Sequence, residues 1–442
     1  MTLNTRLLAI VAASLPLTAM AQQTVDKKWD TAITGTPQIS QDQYAATSMD
    51  SAGNLYVAAT TKFKNGTFFA DIMEARLVKL DKTGATIWDN AFRGDGSLGA
   101  EAIDSEYDPR GAVYLVAMDA VGSNDSRSTL IKYDIDGQLH WTAVRTDFSP
   151  ARLSVAPDGS VYMIGKLYTS DTCMVIKYGA DGVQEWQWSL PGLKAPDGQP
   201  GGIAATQDSG VAVSCGTRLS DGITGIEVAR LDANGAVVWA DRHAEGSAHT
   251  LRLDDDGGVT VGGTYKSDFS IAKWNPAGIK LWGGRYGDPT LFDDLHDLAV
   301  DQNGDVIATG IMNGTSGYLF ADAGTVKLSG VDGSSIWQNT YRSGMFNAGE
   351  SIAIDASGNV LVLAEYQQGQ MLIKYDAFGA QSWLHMPPQG EVQLVANLIN
   401  PATLLPTPLG CYIVAGLGSG AGTGTGVDAV VLKYCLGPEL CN

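Results

Sequence analysis

Basic residues are scarce in this chain. Lysine and arginine number 29 against 48 aspartates and glutamates, a formal net charge of −19. A surface so short of positive charge repels nucleic-acid phosphates and anionic lipid headgroups, which argues against both as partners. Long apolar runs are missing too. The N-terminal one, Leu7 to Leu17, has 11 residues where a bilayer needs about 20, and no later one is long enough, so no membrane insertion is expected. Neither G-x-S-x-G nor H-E-x-x-H occurs, so the familiar hydrolase and zinc-protease signatures are absent. Charged residues make up only 17% of the chain while glycines number 53. That balance suits a protein built from tight β-turns rather than from helices.

What is present begins with the short apolar run. Arg6 precedes it and Ala19-Met20-Ala21 follows, giving the basic start, apolar centre and small-x-small site of a secretory signal peptide. Residues 1–21 are expected to be removed, with 22–442 forming a single domain exported to a periplasm or the exterior. Loss of Arg6 takes the net charge from −19 to −20. No Cys follows the cleavage site, so a lipoprotein anchor is not expected.

From "LVKLDKTGATIWDN" onward one phrase recurs: a strand ending near a basic residue, a turn, then Trp. Lys79 with Trp88 is followed by Lys132 with Trp141, Lys177 with Trp186 and Arg230 with Trp239. Lys273 with Trp282, Lys327 with Trp337 and Lys374 with Trp383 continue it. Lys433 lacks a following Trp, and Trp29 lacks a preceding basic strand, so the two ends complete each other. Before each phrase stands another strand pair joined by a D-x-x-G turn, as at Asp50 to Gly53 and Asp355 to Gly358. Asp at the head of such a turn accepts backbone N–H bonds, and Gly supplies the left-handed conformation that closes it. Each unit is thus four short antiparallel strands, A to D, with Trp-to-Trp spacings of 59, 53, 45, 53, 43, 55 and 46 residues. Units of this length repeated in a ring predict an all-β, eight-bladed β-propeller, its last blade completed by the N-terminal strand.

"DSAGNLYVAA", "DQNGDVIATG" and "DASGNVLVLA" resemble the bacterial secreted β-propeller repeat known as SBBP. "LDKTGATIW" and "LDANGAVVW" are similar to the tryptophan-docking turn of quinoprotein-type (PQQ-like) propellers. The resemblance spans essentially the whole mature chain and implies the fold; the families it touches include enzymes, scaffolds and binding proteins. Quinone-dependent dehydrogenases carry adjacent cysteines over the cofactor, and no two cysteines are adjacent here. No cofactor is therefore predicted beyond a possible divalent metal.

In a blade the A–B and C–D turns share one face, and these are the monotonous D-x-x-G turns. The B–C and D–A connections on the other face are long and variable, which is where function resides on a rigid ring. Phe63, Phe68, Phe69, Tyr168, Tyr318 and Phe320 in those loops are candidate contacts for a protein or glycan partner. The eightfold Lys and Trp positions, by contrast, read as scaffold, and departures from the repeat are more informative. Five residues before each A–B turn stand Ala45, Ile103, Ala151, Gly202, His249, His296, Glu350 and Ala402. His249, His296 and Glu350 fall on three consecutive inner strands, with Asp293, Asp294 and Asp297 around the second. Imidazole and carboxylate suit a divalent metal; the competing reading is unrelated polar residues at strand starts. "DDDGG" (254–258) and "DQNGD" (301–305) lack EF-hand spacing and read as turns. "RGD" at Arg93 to Asp95 reads as a by-product of an Arg that follows Trp in several blades.

Five cysteines in an oxidising compartment invite pairing, and at least one stays unpaired in a monomer. Cys411 opens strand B of the last blade and Cys435 ends its strand C, so a bridge between them, or from Cys411 to Cys441, would pin the closing blade. The leading expectation is a non-catalytic binding module. The alternative is a metal- or quinone-dependent oxidoreductase, or a lyase, working at the His249, His296 and Glu350 cluster.

Overall fold

The structure is a computed structural model that describes residues 25–34, 42–64, 71–96, 98–122, 125–168, 170, 172–189, 200–218, 224–243, 246–315, 320–366, 369–386, 393–395, 403–407, 411–419 and 427–436. Its strands form eight antiparallel sheets, an all-β propeller of eight blades. Blade 1 runs Gln43–Met49, Leu55–Lys64, Asp71–Leu80, Thr86–Phe92, innermost strand A to outermost strand D. The inner strands of blades 2 to 7 are Ala100–Asp108, Phe148–Val155, Pro200–Ala205, Ser247–Leu253, Phe292–Val300 and Asn347–Ile354. In blade 8 the inner strand is split into Gln393–Val395 and Thr403–Pro406, followed by Cys411–Ser419 and Val427–Leu436. Its outer strand is Val25–Ile33, paired antiparallel to Val427–Leu436. The ring is closed by both ends of the chain, as the two incomplete half-phrases predict.

The recurring phrase has a direct meaning in the ladder. Lys79 stands opposite Trp88, Lys132 opposite Trp141, and Lys177 opposite Trp186, across strands C and D. The two side chains then reach together into the next blade. Trp88 Nε1 and Lys79 Nζ both donate to the Ile135 carbonyl, at 3.0 and 2.7 Å. Trp141 and Lys132 share Ala180 O at 3.1 and 3.0 Å, and Trp186 and Lys177 share Ala233 O at 3.0 and 2.8 Å. Each accepting carbonyl lies in a C–D turn, and the turn's left-handed glycine lies flat against the ring. A Cβ on Gly137 would come within 2.9 Å of the Trp88 indole. Asp and Gly make the hairpin; Gly, Trp and Lys lock it to its neighbour. Between blades, apolar rows meet as a continuous core: Ile33, Leu55, Val57, Leu80, Ile413 and Val431 are all buried where blade 8 meets blade 1. Each such aliphatic side chain contributes about 1.5–3 kcal/mol on burial.

Blade 4 departs from the expected turn. The hairpin begins at Thr206, whose carbonyl accepts from Ser209 N at 2.9 Å, and Ser209 takes the left-handed place with φ of 59°. Gly210 follows the left-handed position in this turn instead of filling it.

The position five residues before the turn proves to be a β-bulge. In blades 1, 2, 3, 5, 6 and 7 the ladder between strands A and B skips Ala45, Ile103, Ala151, His249, His296 and Glu350. In blade 4 it skips Gly201 rather than Gly202, consistent with the earlier turn. Ala402 lies outside the described residues.

Candidate functional site in the central channel

A bulge places two residues against one on the partner strand and re-aims a side chain out of the alternating pattern. Repeated around the ring, the bulges turn side chains toward the axis. Ala45, Ile103, Ala151, His296 and Glu350 line a central cavity of about 660 Å³, together with the residues that follow them, among them Asp104, Arg152, Thr250, Asp297 and Ser351. Space for the bulge comes from small residues on strand B. A Cβ on Gly310 would meet the Asp294 carbonyl at 2.0 Å and His296 N at 3.1 Å.

Four of the expected site residues make a broken line across blades 5, 6 and 7. His249 Nδ1 lies 4.0 Å from an Asp294 oxygen, Asp294 lies 3.9 Å from His296 Nε2, and His296 Nδ1 lies 3.7 Å from Glu350 Oε1. None of the three separations is a hydrogen bond. His249 is committed elsewhere: its Nδ1 meets the Leu295 carbonyl at 2.7 Å and its Nε2 meets Ser247 Oγ at 2.9 Å. Thr264 Oγ1 donates to Asp294. His296 Nδ1 and Glu350 Oε1 are buried and have no partner. Burial holds the Glu350 carboxyl well above the usual carboxylate range, at about 8, with help from the charges of Glu365 and Asp294. The same burial pushes the His296 imidazole down. Both groups are therefore neutral at neutral pH, a carboxyl and an imidazole facing one cavity.

The other two expected ligands are structural. Asp297 pairs with Arg252 of blade 5 at 2.7 Å and accepts from Ile352 N of blade 7 at 3.1 Å, tying three blades. Asp293 is fully buried and holds two backbone amides, Asn313 N at 2.6 Å and Asp288 N at 2.9 Å. Among the described residues no group of three or more His, Cys, Asp or Glu is arranged to hold a metal ion. The two "calcium" turns are occupied by ammonium groups instead: Lys273 Nζ sits 3.2 Å from Asp254 and Lys327 Nζ 2.7 Å from Asp301. Within "RGD", Arg93 pairs with Glu74 and Asp95 with Arg127.

Counting to the bulge missed the residues one and three places beyond it. Asp104, raised to about 6 by burial, accepts from Leu153 N of the next blade at 2.8 Å. Glu106, raised to about 8 by burial and by the Asp104 charge, accepts from Val155 N at 3.2 Å. Inner strands are open sheet edges, and side chains from the preceding blade satisfy their amides. Arg152, at the place equivalent to Asp104, is exposed in the channel and makes no hydrogen bond or ion pair among the described residues.

Of the loop-face aromatics, Tyr168 is exposed with its hydroxyl 3.6 Å from Met118 Sδ, and Phe320 is exposed beside Ala321, whose amide meets Met345 O at 3.3 Å. Phe68, Phe69 and Tyr318 lie outside the described residues, as does the side chain of Phe63. Cys411 and Cys435 form a disulfide across strands B and C of blade 8, one of the two pairings the sequence leaves open. Cys173 and Cys215 form a second, joining blade 3 to blade 4. Cys441 lies outside the described residues.

No protein-family model matches the chain, and no curated protein matches it. Among solved structures it is similar to the Dos1 propeller, with TM-score 0.60 and 10% identity over 93% of this chain and 96% of that one. It is also similar to the polysaccharide lyase Uly1, with TM-score 0.50 and 12% identity over 89% and 90%. At these identities the likeness is one of fold.

Proposed function

We propose that this chain is an exported, non-catalytic propeller that binds a protein or glycan partner on its loop-bearing face, around the mouth of the central channel. One observation carries the reading. The turn aspartates and the Lys–Trp contacts of blades 1 to 3 are consumed by the scaffold, whereas the bulge position takes no part in the ladder, varies from blade to blade and lines a central cavity of about 660 Å³. A concave site lined by varied side chains on a rigid ring is where a ligand or partner is bound. Export is supported by the N-terminal segment 1–21 and by two disulfides, which persist in oxidising compartments. The motif resemblance to secreted propeller repeats points the same way.

The test is capture. Purified mature chain is applied to a glycan array and used as bait for extracellular and periplasmic protein from its source, beside a Glu350→Ala, Phe320→Ser double variant. Specific capture by the parent chain that the variant loses is expected; capture of nothing, or equal capture by both, sinks the reading.

A catalytic reading competes because a carboxyl held neutral beside an imidazole has the makings of a general acid. In the metal- or quinone-dependent form considered from the sequence, purified protein would contain stoichiometric metal or a quinone absorbance band.

A further inference from the structure

We infer that Lys280 is a carbonyl-capturing amine, whose Nζ forms an imine with a small aldehyde in the cleft between blades 4 and 5. The site is on the outer wall of the disc, away from the channel, and stands independently of the partner-binding reading above.

Three strands bring the groups together. Lys280 opens strand D of blade 5, Lys280–Tyr286, and His243 closes strand D of blade 4, Val237–His243. Ser270 and Trp274 come from strand C of blade 5, Asp268–Trp274. Lys280 Nζ donates to the Arg242 carbonyl at 3.3 Å and meets His243 Nδ1 at 3.2 Å. An ammonium has only hydrogens to offer, so Nδ1 is the accepting nitrogen of the ring. Nε2 then carries the ring proton and donates to Ser270 Oγ at 3.0 Å. A neutral amine has two N–H groups, which these two acceptors satisfy, and one lone pair, which they leave free.

The charged form of this amine is poorly supported. Lys273, Lys327 and Lys374 stand 3.2, 2.7 and 2.9 Å from aspartate oxygens, whereas Lys280 makes no ion pair among the described residues. The neighbouring carboxylates are engaged: Asp241 accepts from Trp274 Nε1 at 2.7 Å, and Glu227 pairs with Arg242 at 3.2 Å. Lys280 Nζ has the Trp274 indole instead, 5.0 Å from its centre, a weaker partner for a cation than a carboxylate. Burial pushes the Lys280 amine below the usual lysine value, against the pull of the Asp241 charge. Desolvating a lysine in this way is how a protein makes its amine nucleophilic. His243, held at about 4 by burial and by the Lys280 charge, is neutral at neutral pH and remains an acceptor.

The cleft is open on its outer side. Gly283 is exposed, and a Cβ there would come within 3.0 Å of His243 Cε1 and 3.1 Å of its Nδ1. A side chain would cover the edge of the imidazole beside the amine, and glycine leaves it bare. The reaction is complete with the two partners alone. The amine lone pair attacks the aldehyde carbon, a C–N bond forms, and the carbonyl π pair moves to oxygen. That oxygen leaves as water with both amine hydrogens, so one amine and one aldehyde give one imine and one water.

The test incubates mature chain near neutral pH with butanal and sodium cyanoborohydride, which reduces the imine to a stable secondary amine. Peptide mass spectrometry then follows the butyl label at each lysine. Lys280 is expected to label about tenfold or more faster than the exposed Lys266. Lys132 and Lys433 are internal comparisons, since burial pushes both amines down but fixes them on the carbonyls of Ala180 and Lys82. Both should label no faster than Lys266. His243→Ala should slow Lys280 about fivefold or more, while His243→Gln, which keeps an acceptor, stays within about threefold. Gly283→Val should also slow it, by covering the opening, and melting curves establish that each variant is folded. Lys280 labelling no faster than Lys266, or as fast in His243→Ala as in the parent, overturns the assignment. Lys132 or Lys433 labelling as fast as Lys280 overturns it too, because burial alone would then explain the rate. None of these readouts involves the channel, so failure here leaves the partner-binding reading untouched.

Discussion

Trp29 and Lys433, from opposite ends of the chain, stand directly opposite one another in the ladder and donate to the same carbonyl, Lys82 O of blade 1, at 3.1 and 3.3 Å. In blades 1, 2 and 3 the same shared-carbonyl contact is made by residues nine positions apart, such as Lys79 and Trp88. The closing one repeats the geometry with its halves at the two termini. Trp29→Ala is therefore expected to cost about 2–4 kcal/mol, and removal of residues 22–35 still more. Thermal melting decides it: an unchanged midpoint for the deletion would falsify two-ended closure.

A second expectation concerns pH. The folded-state pKa of Glu106, about 8, lies above the ordinary carboxylate value, so folding favours its protonated form. Its contribution to stability is complete below that ordinary value and is lost as pH rises through 8. His243 has the opposite sign. Burial and the Lys280 charge depress it to about 4, so its contribution is present above the ordinary imidazole value and lost only as pH falls. Between pH 6.5 and 8.5 His243 stays neutral while the two raised carboxyls, Glu106 and Glu350, lose their protons, so stability should decline. Glu106→Gln, which keeps an acceptor for Val155 N, should flatten part of that decline, on the order of 1–3 kcal/mol after allowing for its partial exposure. Urea midpoints at the two pH values provide the measurement; parallel declines in parent and variant would refute the assignment.

Gly310→Ala tests the bulge. The new Cβ would lie 2.0 Å from the Asp294 carbonyl, a backbone atom that cannot swing aside. Relieving the contact requires the strand carrying His296 to move, at about 1–3 kcal/mol. A lower melting temperature with a displaced His296 imidazole resonance is expected. A variant as stable as the parent, with that resonance in place, would show that the strands are not held this close.

The disulfides make a chemical prediction. Four of the five cysteines are paired, Cys173 with Cys215 and Cys411 with Cys435. Alkylation of unreduced, denatured protein followed by peptide mass spectrometry should label Cys441 alone. Replacing Cys411 and Cys435 by Ser should lower stability by about 2–4 kcal/mol, since the bridge restrains a 24-residue separation in the unfolded chain. Label on Cys411 or Cys435 in the parent chain rules out that bridge.

The blades were readable because each turn is local and each Lys–Trp rung outside the closing blade lies within one hairpin. Asp50 finds the amides of Ala52 and Asn54, and Lys79 finds Trp88, all within one hairpin. The bulge was readable as an offset from the turn for the same reason; among the seven blades whose bulge is described the offset slips in blade 4, where Ser209 adopts the conformation usually left to Gly. The roles of the channel residues were not readable in this way. His249 and His296 occupy equivalent positions, yet His249 is spent on Leu295 O, 46 positions away, whereas His296 Nδ1 is left unpartnered. Asp297 looked like a ligand and is a tie among blades 5, 6 and 7. Such roles depend on which groups of a neighbouring inner edge need partners, and nothing along one strand records that. The pairing of Cys173 with Cys215 was invisible for the same reason.

Because the bulged residue takes no rung of the ladder, its identity is almost free of the demands of the fold. Alanine, isoleucine, glycine, histidine and glutamate all occupy it around this one ring. The channel thus behaves as a keyboard of separately changeable positions set in a frame that does not register the change. A new specificity can be written into it one blade at a time, by descent or by design, without renegotiating the architecture.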